Sequence, residues 1–488
     1  MSASNFHRPR SQTSHDSNNY RSSRVSHEPN SHWNSRFPHE ENDEMEQESN
    51  QKSYSTHQKF PLPLLVPAYH QNMFISQEQF SSENIEKSNE RQRNNRPSHQ
   101  IETHLSYRMW SNTVYQEYFH QYHQQHFKFH IVCYNILSQA LLEDHPFLYV
   151  NCFRNNLKWY RRKDRLLREL LRQDADILCL QEMENYHYEN DFRPKLMQHG
   201  YDSIYLKRAG DKSDGCCIFY KINRLRLIES KAVPFYQKHI CILPRDNCGL
   251  IALFQPIGPN ISSDDIFCVA TTHLLFSPKR GDIKLAQLQY FLAEIDRLAT
   301  KDPYTDSYYP IILCGDFNAQ PQSPLIQFLL NQYIKYDDYR CIEISGQTES
   351  SIVNNCSSRQ LPSNELLPSS FVTSDCRLST SNNETIFQKH IDQQPSAILT
   401  HNKQFQSVYD LNNSLDVTTN AGDNPNLVDY IFYTQQNDDP YRLNLLSRFD
   451  LYKQNQMINV HIPNHQFPSD HFLVAAKFAL KLRKTNNQ

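Results

Sequence analysis

The sequence predicts an α/β fold, and two observations carry that prediction. Short apolar runs without helical stagger recur along the chain, as in Pro310-Ile311-Ile312-Leu313-Cys314, and read as buried strands. Between them lie segments with apolar residues at helical spacing, such as Leu285, Leu288, Leu292 and Ile295. A third observation bears on function: polar side chains close the apolar runs. Asp316 and Asn318 follow Gly315 at the end of the run above. Two residues apart on extended backbone, they can face one target, and the carboxyl ends of strands are where open α/β sheets place ligands. Asp-x-Asn is also an Asx turn closing a strand, so the other elements must decide.

The 488 residues suffice for one large core or two modest ones. A net charge of -3 and a pI near 6.8 exclude a generally basic nucleic-acid coat but allow a local basic groove. All 12 cysteines lie at or after Cys133, without a Cys-x-x-Cys pair. That pattern fits buried thiols in a reducing compartment better than a disulfide framework or a zinc site. No apolar run reaches membrane-span length, and the amino terminus has no signal-peptide core. The expectation is a soluble, cytoplasmic protein, with a nuclear pool as the alternative.

Residues 1–100 are rich in Ser, Asn, Gln, His and Arg and are expected to form a disordered tail. Two short apolar anchors within it, Phe60 to Pro67 and Tyr69 to Ile75, make it a candidate for docking a protein partner. Residues 101–126 read as an approach segment, and the ordered domain is expected over 127–480, with a short tail at 481–488. Its first strand, 129–134, ends at Asn135, and an amphipathic helix is predicted over 153–173. A second strand, 176–180, is followed by Gln181 and Glu182. Shorter strands follow at 201–206, 216–220, 225–230, 249–255 and 266–272, the last ending at His273. Helices are expected from Gly281 to about Ala299 and from Ser323 to Asn331. Residues 343–407 lose any sustained period and read as a flexible, dispensable insertion. Strand character returns at 427–433, with Asp429 inside it, and at 472–478, preceded by Ser469-Asp470-His471.

Polar groups thus recur at strand ends: Asn135, Glu182, His273, Asp316 with Asn318, and Asp470 with His471, while Asp429 interrupts a sixth strand. Such groups resist burial without partners, which makes a purely structural role at every end costly. Oxygen donors without cysteine suit Mg²⁺ or Mn²⁺, and histidines beside carboxylates suit phosphate-ester hydrolysis.

Six motifs, in order, carry a resemblance: Tyr134-Asn135, Leu180-Gln181-Glu182, Thr272-His273-Leu274, Gly315-Asp316-Phe317-Asn318, Val428-Asp429-Tyr430 and Ser469-Asp470-His471. The set resembles the endonuclease/exonuclease/phosphatase superfamily. Within it, Asp214-Gly215-Cys216, Arg245 to Leu250 and Lys279 to Leu285 are similar to the Angel family, related to deadenylases and nocturnin. The resemblance covers about 128–480 apart from the insertion. It implies a DNase I-like four-layer sandwich, with two mainly antiparallel sheets flanked by helices and the site at one rim.

The same resemblance implies roles. Glu182 would be the principal Mg²⁺ ligand (Mn²⁺ in its place), with Asn135 nearby and Asp470 near a second metal position. Asp316 would orient or deprotonate the attacking water, and Asn318 would donate to phosphoryl oxygens. His273, and His471 held by Asp429, would contact the scissile phosphate. Asp214, Asn247, Pro278, Lys279 and Arg280 would line the substrate side. One departure stands out. Deadenylases of this branch tend to carry an adenine-stacking aromatic residue five positions before the Asp of Val-Asp-Tyr, where this chain has Asn424.

The implied function is a Mg²⁺-dependent phosphoesterase acting on RNA 3′ ends, as a 3′–5′ exoribonuclease or as a 2′,3′-cyclic phosphatase. An inositol-phosphate-type phosphatase and a catalytically silent RNA-binding scaffold are the competing classes. The Asp-Gly-Cys stretch argues against the first, and the complete set of catalytic positions against the second.

Overall fold

The computed structural model describes residues 105–113, 126–302, 304, 307–347, 359–362, 366–373, 397–412, 415–435, 439 and 442–483. The tail read at 1–100, its two anchors and residues 484–488 lie outside the described residues. In chain order the sheet strands begin with β1 (Trp110–Asn112), β2 (His126–Asn135), β3 (Ile177–Glu184), β4 (Tyr201–Lys207), β5 (Asp214–Lys221) and β6 (Leu225–Pro234). They continue with β7 (Cys248–Pro256), β8 (Phe267–His273), β9 (Ile311–Asp316), β10 (Phe405–Ser407), β11 (Asp429–Thr434), β12 (Leu443–Phe449) and β13 (Val474–Lys481). The helices used below are α1 (Gln139–Asp144), α2 (Trp159–Gln173), α3 (Gly281–Ala299) and α4 (Pro324–Asn331).

One sheet has seven strands, in the order β1-β12-β13-β2-β3-β5-β4, and the other six, β10-β11-β9-β8-β7-β6. Pairing is antiparallel except at β2 with β3 and β8 with β9. The strand period of two explains the layers. Ile131, Cys133 and Cys179 point into the core shared with Ile312, Cys314 and Ile431 of the second sheet. Val132, Tyr134, Leu178 and Leu180 point outward onto Leu166 and Leu170 of α2. On the far side, Leu285, Leu288 and Leu292 of α3 and Leu325 and Phe328 of α4 cover the second sheet. The result is helix, sheet, sheet, helix, the DNase I-like sandwich.

Local chemistry explains the boundaries. Ser323 caps α4 by accepting from the Ile326 amide at 3.3 Å, with Pro324 at the first helical position. The helix read over 153–173 begins instead at Trp159, after a 3₁₀ turn at Arg154–Leu157. Asp429 opens β11 rather than interrupting a strand. Because β11 runs antiparallel to β9, its first residue lies opposite Asp316, the last residue of β9.

Two boundaries differ from the sequence reading. The domain starts before 127: β1 adds an edge strand to β12, and Arg108 Nη1 donates to the Leu473 carbonyl at 2.7 Å. The margins of 343–407 are built into the core. Ile344, Leu361, Leu366, Leu399 and Phe405 are buried there, Tyr333–Lys335 pairs with Ile398–Thr400, and β10 closes the second sheet. Isolated apolar anchors in a polar background carry no period, so composition hid them.

β8 and β9 approach closely because Gly315 has no side chain. At φ 148, a Cβ there would stand 2.0 Å from the Thr272 carbonyl oxygen. Gly315→Ala should therefore cost about 3 kcal/mol or more in urea unfolding followed by circular dichroism.

Candidate active site

The site forms where the inward-facing ends of both sheets meet. Asn135 closes β2 level with Gln181 of β3, while His273, Asp316 and Asp429 lie in one row across β8, β9 and β11. A register shift in β3 between Leu180 and Met183 turns Glu182 out of the ladder, at φ 59. The shift is a bulge that re-aims one side chain toward the rim.

Asn135 joins the sheets. Its Nδ2 donates to Glu182 Oε1 at 2.9 Å and to Asp316 Oδ2 at 3.0 Å, and its Oδ1 accepts from the Leu137 amide at 3.1 Å. The Ser138 amide donates to Glu182 Oε2 at 2.9 Å. Asp316 Oδ1 accepts from the Asn318 amide at 2.9 Å, with Asn318 left-handed at φ 48. The Asn318 carboxamide reaches His273 Nε2 and the Leu274 carbonyl, each at 3.2 Å. Asp429 Oδ2 accepts from His471 Nδ1 at 2.8 Å, leaving His471 Nε2 3.8 Å from Asp316 Oδ2.

Charge follows from this packing. Burial, then the neighbouring Asp429, pushes the Asp316 carboxyl up to about 7, against the opposing pull of His471. Burial disfavours charge on His471, yet Asp429 holds its imidazolium well above the ordinary histidine range. His273 goes the other way: burial and the Arg208 guanidinium lower it to about 3, so the ring is neutral. Removal from water and the proximity of Asp470 raise the half-buried Glu182 carboxyl.

Asp470 joins the site through its neighbours. Tyr149 donates to its Oδ2 at 2.8 Å, and Ser469 Oγ donates to the Asn135 carbonyl at 2.7 Å. Asp316, Asp429 and His471 are the one group of titratable side chains among the described residues with atoms close enough to share a cation. Asp429 Oδ1 is buried there without a hydrogen-bond partner. The oxygen donors of Glu182, Asn135 and Asp470 have the chemistry that suits a hard divalent cation.

The expected substrate-side residues are less uniform. Asp214 pairs with Arg208, and its Oδ2 is buried without a partner. Asn247 spends its carboxamide on structure, donating to the His273 carbonyl at 3.1 Å and accepting from Gln287 at 3.2 Å. Arg280 forks onto Asp282, at 2.9 and 2.8 Å. Pro278 is half-buried and Lys279 is exposed.

Against known proteins, the model of the Endonuclease/Exonuclease/phosphatase family matches residues 132–471. The chain belongs to this family. Within it the chain is an Angel family protein. It is 36% identical to mouse protein angel homolog 2 over 390 residues, spanning 73% of this chain and 70% of that protein. It is 40% identical to fruit-fly protein angel over 217 residues, spanning 44% of this chain and 59% of that one. The crystal structure of ANGEL2, described as a 2′,3′-cyclic phosphatase, in complex with adenosine-2′,3′-vanadate, superposes with a TM-score of 0.63. That match is 36% identical and covers 78% of this chain and all of that one. The family and the fold make the chain a phosphoesterase.

Two buried cations escaped the sequence reading. Arg162 is fully buried, donating to the Pro468 and Ile136 carbonyls at 2.7 Å and to Gln139 at 2.9 Å. It ties the loop after Asn135 to the loop before Asp470. A signal existed: Arg162, Leu166 and Leu170 form one buried stripe of α2, with the cation where an apolar residue belongs. Lys284, buried in α3, donates to the Asn318 carbonyl at 2.6 Å, and burial lowers it to about 7. Tyr149 left no sequence signal at all.

Arg162→Met would leave those acceptors unpaired inside the protein. It should lower stability by about 3 kcal/mol or more in urea unfolding, with Arg162→Lys recovering part of the loss. Asp316 binds its proton more tightly folded than unfolded, so it makes the protein less stable as pH rises from 3.8 to about 7. In EDTA, the melting temperature of Asp316→Asn should therefore gain on the wild type across that window in scanning calorimetry.

Proposed function

We propose that this chain hydrolyses 2′,3′-cyclic phosphates at RNA 3′ ends, using Mg²⁺, with Mn²⁺ as its substitute. The observation that carries the reading is the buried Asp316–Asp429–His471 cluster in a chain 36% identical to ANGEL2, itself described as a 2′,3′-cyclic phosphatase. Glu182, Asn135 and Asp470 would hold the ion, which when bound supplies positive charge to the phosphoryl oxygens.

The chain's own groups do the rest. Asp316, held by Asn135 and Asn318, takes the proton of a water aimed at phosphorus. Water oxygen bonds to phosphorus, one ring P–O bond breaks, and the leaving oxygen takes a proton from solvent to become a hydroxyl beside a phosphomonoester, while Asp316 returns its proton to solvent. His471, kept cationic by Asp429, points Nε2–H toward the charge that develops on the phosphoryl group. Neutral His273 acts through Asn318, whose carboxamide it orients.

Exonucleolytic cleavage would use the same attack on an internucleotide phosphate, and Asn424 in place of an aromatic residue weakens any preference for adenine. The ten described cysteines are free, which supports a reducing, cytoplasmic setting.

Three substrates compared side by side test this reading: RNA ending in a 2′,3′-cyclic phosphate, RNA ending in a 3′-hydroxyl, and an inositol phosphate. The cyclic end should be opened without shortening the chain, and EDTA should abolish the reaction. Nucleotide-by-nucleotide shortening of 3′-hydroxyl RNA at a higher kcat/KM would replace this reading with the exonuclease. Asp429→Asn and His471→Ala should each lower kcat by about a hundredfold or more, with the double variant little worse, because the two act as one unit. Additive losses would separate them.

A further inference from the structure

Beside the metal-site carboxylates lies a surface that the chemistry above does not use. From His145 to Lys163 the sequence contains no acidic residue, although the whole chain carries a net charge of -3. Arg154, Lys158 and Arg161 in this stretch are exposed. None of the three makes an ion pair among the described residues. Exposed apolar side chains lie in the same stretch: Phe147 (66% exposed), Val150 (74%) and Phe153 (46%) precede the cations, and Tyr160 (55%) sits between Lys158 and Arg161. Solvated aromatic rings next to surface cations suit a ligand with charged and flat aromatic parts.

The stretch is anchored to the site. Tyr149, between Phe147 and Val150, donates to Asp470. Leu148 lies against Gly422, where an added Cβ would come within 3.0 Å of it. Asn151 donates to Asp423 Oδ2 at 2.7 Å. The stretch therefore packs on the turn at Ala421–Asp423, directly before Asn424, the position without an aromatic wall. Rings absent from one wall are present on the neighbouring turn.

We propose that residues 145–161 form a landing surface for single-stranded RNA running away from the reacting 3′ end. Arg154, Lys158 and Arg161 would meet its phosphates, and Phe147 and Phe153 its bases. The inference rests on the RNA-end reading above and extends it from the terminal nucleotide to the strand behind it. Unpaired bases are required, because a duplex hides the faces that stack on Phe147 and Phe153. A protein partner would use the rings but would have no general need for three cations without ion pairs following them.

The test uses the full chain carrying Glu182→Gln, so that bound RNA is not consumed, with Phe147→Ala/Phe153→Ala and Arg154→Glu/Lys158→Glu/Arg161→Glu added separately. Fluorescence anisotropy with a labelled single strand of about 12 nucleotides should show each set weakening binding about tenfold. The charge set should also flatten the salt dependence. With Glu182 restored, kcat/KM on a dinucleotide ending in a cyclic phosphate should be unchanged by either set. Unaltered affinity and salt slope in both sets, with native circular dichroism, would overturn the proposal. So would an equal loss of duplex binding in the ring variant. Failure of the wild type to hydrolyse the dinucleotide would instead strike the RNA-end reading, while the anisotropy would still decide the surface.

Discussion

The two hydrogens of one carboxamide, Asn135 Nδ2, are divided between a carboxylate of the first sheet and a carboxylate of the second, Glu182 at 2.9 Å and Asp316 at 3.0 Å. Without that donor the two acids would face each other across the rim, each paying for lost hydration. With it, the sheets are held in a fixed relation at the point where the chemistry occurs. The remaining contacts are arranged around this bridge. Asn135 Oδ1 fixes the loop at Leu137, its backbone carbonyl takes Ser469, and Asp316 passes the constraint on to Asn318.

A mainly antiparallel sandwich explains how so many polar groups reach one rim. β2, β3, β8 and β9 arrive with their carboxyl ends, whereas β11 and β13 run against their neighbours and arrive with their amino ends. Asp429 therefore belongs at the start of its strand and Asp470-His471 just before theirs. In a wholly parallel sheet the amino ends would lie at the opposite edge, and the His471–Asp429 pair could not face Asp316.

Acids gathered in this way need compensation inside the protein. Some comes from His471, kept protonated by Asp429, and some from Arg162 and Lys284, which are buried beside the site. These two cations bind carbonyl oxygens of the loops that carry Asn135, Asn318 and Asp470. They hold the backbone and offset the field at once. Burial and the neighbouring Asp470 already strain the ionised form of Glu182, which a divalent cation there would relieve.

Periodicity in the sequence located most strands and helices, because burial on both faces or on one stripe leaves a local mark. The apolar runs ending in Asn135, His273 and Asp316 also marked the site's polar residues, since a charge after a buried strand is conspicuous. β1, β10 and β12 were not read, and neither were the anchors within 343–407. Their burial comes from distant neighbours and leaves no period of its own. Arg162 was legible only as a charge on an apolar stripe, and Arg280 gave no hint that Asp282 would occupy it. What the sequence determined by itself was most of the elements and the chemical type of the site. Which side chains touch, which histidine is charged and which neutral, and where Glu182 points were decided by tertiary structure. Those properties depend on desolvation and on partners distant in the sequence, as with His471 and Asp316, brought together only when the two sheets close on each other.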